Sequence, residues 1–173
     1  MNELSINPGQ FNWTKEFFLK YKPHWKNRYF SNYRATFEGF LAEVIICDLM
    51  YLPRPEVKLN DKDAGYDVIW QGLKFDVKNT TVNKNEVYVA TRQLNKNTDG
   101  FIFTRTELNL DDNENFISGK LFLLGYVYSS EIETKGEYLQ KGELTLNNVK
   151  VKTDDYVLQI HDLTPLNNYT LCT

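Results

Sequence analysis

The stretch GYDVIWQGLKFDVKNT, Gly65 to Thr80, decides how this chain is read. Two apolar runs, Tyr66 to Trp70 and Leu73 to Val77, flank Gln71-Gly72, and that spacing predicts a β-hairpin. Side chains alternate between the two faces of a strand, so Asp76 and Lys78 share one face while Val77 turns the other way, into a core. Asp67 belongs to the opposing arm. Two carboxylates held on adjacent strands supply hard oxygen ligands for magnesium, and a neighbouring ammonium can orient or stabilise a hydroxide beside the metal. Phosphodiester hydrolysis needs such a set, because the attacking water must ionise near neutral pH and charge must be neutralised on the nonbridging and leaving oxygens.

Upstream of this hairpin, Phe37, Phe40, Leu41, Val44, Ile45, Leu49 and Leu52 recur at helical spacing and predict a helix from about Asn32 to Leu52, ended by Pro53 and Pro55. Trp13, Phe17, Phe18 and Tyr21 predict a short leading helix that Pro23 interrupts. Leu59 to Gly65 is turn-rich. Downstream, strands are expected at Glu86 to Ala90, Gly100 to Thr104, Leu121 to Tyr128 and Tyr156 to Ile160. A short helical or irregular piece falls at Thr91 to Lys96, and a loop at Asp111 to Asn115. Ser129 to Gly142 reads as a short helix or loop. The order predicts an α/β protein, a mixed β-sheet flanked by helices. With no internal repeat and no low-complexity linker, residues 1–173 read as one domain: a core at about 34–104, an N-terminal helical segment at 11–31 and a C-terminal strand and loop extension at 116–173.

The hairpin and the helix before it resemble the PD-(D/E)XK nuclease superfamily, whose restriction-endonuclease-like core is a helix, a three-stranded meander, a second helix and a further strand. The resemblance covers about Arg34 to Thr104. The family's first acid maps to Asp67, with Tyr66 in place of the proline that names the motif, a departure common in the superfamily. Its (D/E)XK element maps to Asp76-Val77-Lys78. A glutamate from the preceding helix commonly completes the site, and Gly39-Phe40-Leu41-Ala42-Glu43-Val44 is similar to that element, which gives Glu43 this role. Glu38 is the alternative, but five residues away on a helix it faces a different side. The resemblance implies a magnesium-dependent endonuclease, with manganese a substitute, in which Glu43, Asp67 and Asp76 hold metal and Lys78 assists the attacking water. The bare tripeptide is weak on its own, since Glu56-Val57-Lys58 and Glu133-Thr134-Lys135 fit it too. Only Asp76-Lys78 has a hairpin, an opposing acid and a preceding helix.

Twenty basic against 23 acidic residues give a net charge of −3, and a pI near 5.5 argues against a general nucleic-acid coat. The charge is uneven, however. Lys15, Lys20, Lys22, Lys26, Arg28 and Arg34 face a single acid, Glu16, between Lys15 and Arg34, while Glu107, Asp111, Asp112 and Glu114 form an acidic segment. Lys20, Lys22, Lys26, Arg28 and Arg34 are therefore candidates for a nucleic-acid backbone, with Trp25 or Tyr29 available to stack on a base. The competing account makes aromatics such as Phe17, Phe18, Phe30 and Phe37 core, with the lysines covering its rim. Arg92 and Gln93 fall where some members of the superfamily place a polar residue near the site; a surface helix explains them equally well. Thr80 shares the Lys78 face, and Asp99 reads as a turn residue. His24 and His161 lie far apart and suggest no zinc site.

Cys47 and Cys172 read as reduced thiols. No apolar run approaches the roughly 18 residues of a membrane span, and the N-terminus has no basic start, so the expectation is a cytoplasmic protein away from membranes. DNA is the expected substrate, with RNA the alternative, and cleavage of both strands of a duplex would suit a homodimer. The rival from another class is a noncatalytic module that keeps the fold and binds nucleic acid or protein.

Overall fold

The computed structural model describes residues 2–21, 33–55, 66–80, 85–94 and 97–166. The expected two-helix start is present. Helix α1 spans Pro8–Tyr21 and α2 spans Tyr33–Leu49. Asn7 caps α1 reciprocally: its side chain accepts the Gln10 N–H at 2.9 Å and its own N–H donates to Gln10 Oε1 at 3.1 Å. Pro8 then occupies the first helical position, where a missing N–H costs nothing.

The strands form two sheets. Strands β1 (Asn2–Ser5), β2 (Val68–Trp70), β3 (Leu73–Thr80), β5 (Gly100–Leu110) and β6 (Phe116–Tyr128) make a mixed sheet in the order β1-β6-β5-β3-β2. Strand β4 (Glu86–Ala90), β7 (Glu137–Leu139) and β8 (Asp155–Gln159) make a smaller antiparallel sheet in the order β4-β8-β7. Two short helices, α3 (Thr91–Leu94) and α4 (Ile132–Lys135), lie between strands. The β2–β3 hairpin turns through Gln71 and Gly72, both with positive φ, as the tightest hairpin turns require.

The mixed α/β architecture is as expected. Its strand order differs from a meander: β4 leaves for the second sheet, and β5 joins β3 in parallel. A parallel neighbour needs a crossover, which here is the path through β4 and α3. Strands β5 and β6 also run further than their apolar cores, to Leu110 and back to Phe116. Their outer ends form a two-stranded ribbon closed at Asp111, whose Oδ1 accepts the Asn113 and Asn115 N–H groups.

Both faces of the main sheet are covered. Phe75, Val77 and Ile102 pack with Phe18, Phe37, Leu41, Ile45 and Ile46 of the two helices. Phe101, Phe103 and Val127 pack on the other side with Val87, Val89 and Leu158 of the smaller sheet. Phe11, Phe18 and Phe37 are core, Phe17 stacks half-buried on Phe40, and Tyr33 is exposed. Helix α2 packs beside β5, with Arg34 Nη2 donating to the Leu108 carbonyl at one end. The other end is tied to α1 and the following loop: Asp48 accepts from Gln10 and takes both arms of Arg54, whose guanidinium lies 5.1 Å from the Trp13 ring centre.

The Phe75 ring and the Val127 carbonyl lie directly against residue 100, which has no side chain. A Cβ there would come within 2.6 Å of Phe75 and 2.7 Å of the Val127 carbonyl. Gly100→Ala is expected to destabilise the fold by about 2–3 kcal/mol, since neither an aromatic ring in a packed core nor a backbone carbonyl yields cheaply. The shift of the urea midpoint at constant m-value is the measurement.

Candidate functional site

Asp67 stands immediately before β2, and its backbone N–H donates to the Phe75 carbonyl. Among the described residues β3 has no partner strand on this side beyond that point, which leaves the Val77 N–H without a ladder partner. The Asp67 carboxylate takes that hydrogen bond through Oδ2 at 2.7 Å. One role of Asp67 is therefore to finish an unpaired strand edge.

Asp76 and Lys78 lie on one face of β3, as alternation requires. Asp76 is buried, at 6% exposure, and Lys78 half-buried. Lys78 Nζ sits 2.7 Å from each Asp76 carboxylate oxygen. Asp76 lies close enough to Asp67 for its charge and its side chain to act on the Asp67 carboxyl. Loss of water around its carboxyl and the charge of Asp76 push the Asp67 pKa up to about 7, against the opposing pull of the Val77 N–H and Lys78. Although the residue as a whole is exposed, its carboxyl group is crowded between Asp76 and the β3 backbone.

Comparison with protein-family models, curated proteins and solved structures returned no match. The site is therefore read from its own geometry.

Asp67, Asp76 and Lys78 come together. Among the described residues, no group of three or more His, Cys, Asp or Glu side chains is arranged to hold a metal ion. Glu43 is half-buried on α2, one turn before Cys47. Burial, then Glu43, Asp48 and Asp67 push the Cys47 thiol up to about 12, so Glu43 and Asp67 act on the same neighbourhood from helix and sheet. Glu38 lies toward the opposite end of α2, buried at 2% exposure, with Oε1 bound to Arg34 at 2.8 Å and Oε2 without a hydrogen bond. The two helix glutamates therefore serve different places.

Arg34 is occupied by Glu38 and the Leu108 carbonyl on the far side of α2 from the hairpin edge. Lys20 is exposed at the end of α1. Lys22, Lys26 and Arg28 lie outside the described residues. Gln93 turns inward to accept the Ala90 N–H, while Arg92 remains exposed on α3. Asp99 is a turn residue: its N–H donates to the Lys74 carbonyl and its Oδ2 accepts the Lys74 N–H. Further along the shared face, opposite Thr80, Arg105 is buried over the Phe122 ring at 4.2 Å and lies 3.4 Å from Glu107.

Sequence reasoning passed over Lys74 and Tyr66. Lys74 is two residues before Asp76 on the same face, so the alternation that links Asp76 to Lys78 also signals it. Tyr66 entered only as a replacement for proline, yet Lys74 Nζ lies over its ring at 5.4 Å.

The raised Asp67 pKa carries a sign. The folded state holds an extra proton between about pH 4, where a free aspartate titrates, and pH 7, so stability falls as pH rises through that window. Asp67→Asn keeps an acceptor for Val77 and removes the charge. It is expected to be more stable than the parent at pH 8 by on the order of 1 kcal/mol, allowing for the solvent that reaches this exposed residue, and equal to it near pH 3. Urea titrations at the two pH values measure the difference; an unchanged gap between them would overturn the account.

Proposed function

We propose that this chain is a divalent-metal-dependent phosphodiesterase acting on DNA, of the PD-(D/E)XK type, with Asp67, Asp76 and Lys78 at its centre. The observation that supports this most is the contact between two carboxyl groups with one lysine to neutralise them. Burial first, and then the charge of Asp76, make the Asp67 carboxyl resist ionisation, and a divalent cation is the species that relieves such a site.

The donor set suits magnesium. This ion demands oxygen ligands, keeps several of its waters and is commonly bound by one or two carboxylates together with substrate phosphates. Asp67 and Asp76 would hold it, and Glu43 would contribute from α2 at longer range. Once bound, magnesium would supply Lewis-acid stabilisation of phosphoryl charge and a lowered pKa for water. Asp67 would hold such a metal as its carboxylate, so binding should release protons below about pH 7. Asp76 holds the Lys78 ammonium in place, and Lys78 would in turn orient the attacking water and balance charge on the phosphate.

The test is cleavage of plasmid and synthetic DNA, with RNA in parallel, in magnesium, manganese and excess chelator. Metal-dependent scission of either polymer supports the reading, and the polymer cut names the substrate. Absence of scission with both would overturn it.

A second reading has its own observation. Lys78 engages both Asp76 oxygens, so the pair is already satisfied as an ion pair without metal. A noncatalytic module built this way would bind nucleic acid with salt-dependent affinity indifferent to magnesium.

A further inference from the structure

The face of β3 that carries Asp76 and Lys78 begins two residues earlier with Lys74, which pairs across the hairpin with Ile69. Among the described residues its ammonium has two partners, both neutral: Asn97 Oδ1 accepts from Nζ at 3.0 Å, and the Tyr66 ring lies beneath it at 5.4 Å. Lys78 differs, because its charge is spent on Asp76. The Lys74 backbone is also held on both sides. Its N–H donates to Asp99 Oδ2 at 2.8 Å, and its carbonyl accepts the Asp99 N–H at 2.7 Å and the Thr98 hydroxyl at 3.1 Å. A half-exposed cation fixed at both ends, with its charge still available, loses little conformational freedom when it meets an anion.

Spacing favours a particular anion. Alternate residues of a strand are about 6.8 Å apart, comparable with the separation of neighbouring phosphates along one nucleic-acid strand. Resting on the phosphodiesterase reading above, we propose that Lys74, seated on Tyr66 and steadied by Asn97, is a positioning residue that holds the backbone phosphate next to the one cleaved between Asp76 and Lys78. A phosphate held there would register the strand across the two carboxylates without reading its bases. Tyr66 would keep the ammonium from folding back onto Asp76, as Lys78 does, through its cation–π contact.

The experiment compares the parent with Lys74→Gln and Lys74→Arg. Binding to a labelled oligonucleotide duplex is followed in chelator, where turnover cannot occur, at several salt concentrations; cleavage kinetics in magnesium and thermal melting are measured alongside. The expected result for Lys74→Gln is an affinity about tenfold weaker whatever the sequence, and a slope of log affinity against log salt reduced by about 0.9, the value of one lost phosphate contact. KM should rise with kcat nearly unchanged, and Lys74→Arg should restore the slope. A Lys74→Gln protein that melts, binds and depends on salt like the parent would overturn the role of Lys74; if that parent cleaves, the phosphodiesterase reading stands. A parent that neither binds nor cleaves nucleic acid overturns both.

Discussion

Asp76→Asn is expected to lower metal-dependent cleavage by at least about a thousandfold while the chain stays folded. The substitution is nearly isosteric, so the buried position is not emptied, but it removes the charge on which three partners depend. The Lys78 ammonium loses its counter-ion at 2.7 Å, the metal loses an anionic oxygen, and Asp67 loses the neighbour that helps hold its proton. The last effect gives a signature independent of catalysis. Without the charge of Asp76, the Asp67 carboxyl should titrate closer to an ordinary aspartate, below its present value of about 7. Carbon-detected NMR titration of that carboxyl and calorimetry with magnesium would both read the change. Parent-level cleavage by Asp76→Asn would remove Asp76 from the site altogether.

The hairpin was legible in the sequence because three local signals agree there: alternation, a Gln-Gly turn that tolerates positive φ, and a buried Val77 between two polar neighbours. That agreement predicts Asp67, Asp76 and Lys78 side by side, and in the structure they are neighbours. Helix α2 was legible for the same reason, with its apolar stripe and the prolines that follow. The long-range pairings were not. Strand β1 has four residues and alternates only weakly, and what makes it a strand is its register against Leu121, Phe122 and Leu123 of β6, which no local pattern announces. Strand β4 has strong β character in Val87 and Val89, but periodicity cannot say which sheet it enters; its partner Asp155–Gln159 lies some 70 residues away in the chain. Within the site, the distance of Glu43 from the acid pair depends on how α2 is set along the sheet. That setting is fixed by tertiary contacts, Arg34 at Leu108 and Asp48 at Arg54, rather than by the Gly39–Val44 stretch itself. Lys74 was missed for another reason. The tripeptide drew the eye downstream of Asp76, whereas the face it defines extends in both directions.

Lys78→Ala should separate binding from chemistry. Lysine and a divalent cation compete for the same Asp76 oxygens, both of which Lys78 now occupies. Removing the ammonium therefore leaves an uncompensated carboxylate beside Asp67, and magnesium affinity should be equal to or tighter than that of the parent. Cleavage should nevertheless fall by about a hundredfold to ten-thousandfold, because the group that orients water and balances phosphoryl charge is gone. The loss should lie in kcat, with KM little changed, since phosphate binding next to the site is assigned to Lys74 and not to Lys78. In the ion-pair reading the same variant behaves differently. Its Asp76, at 6% exposure, would be left buried and unpaired, and stability would drop. Magnesium would then be the deciding addition. If it restores the melting temperature of Lys78→Ala at pH 8, the two carboxylates form a cation site that lysine had been filling. If it leaves that temperature where it was, Asp76 and Lys78 are a structural pair and the nuclease assignment loses its centre.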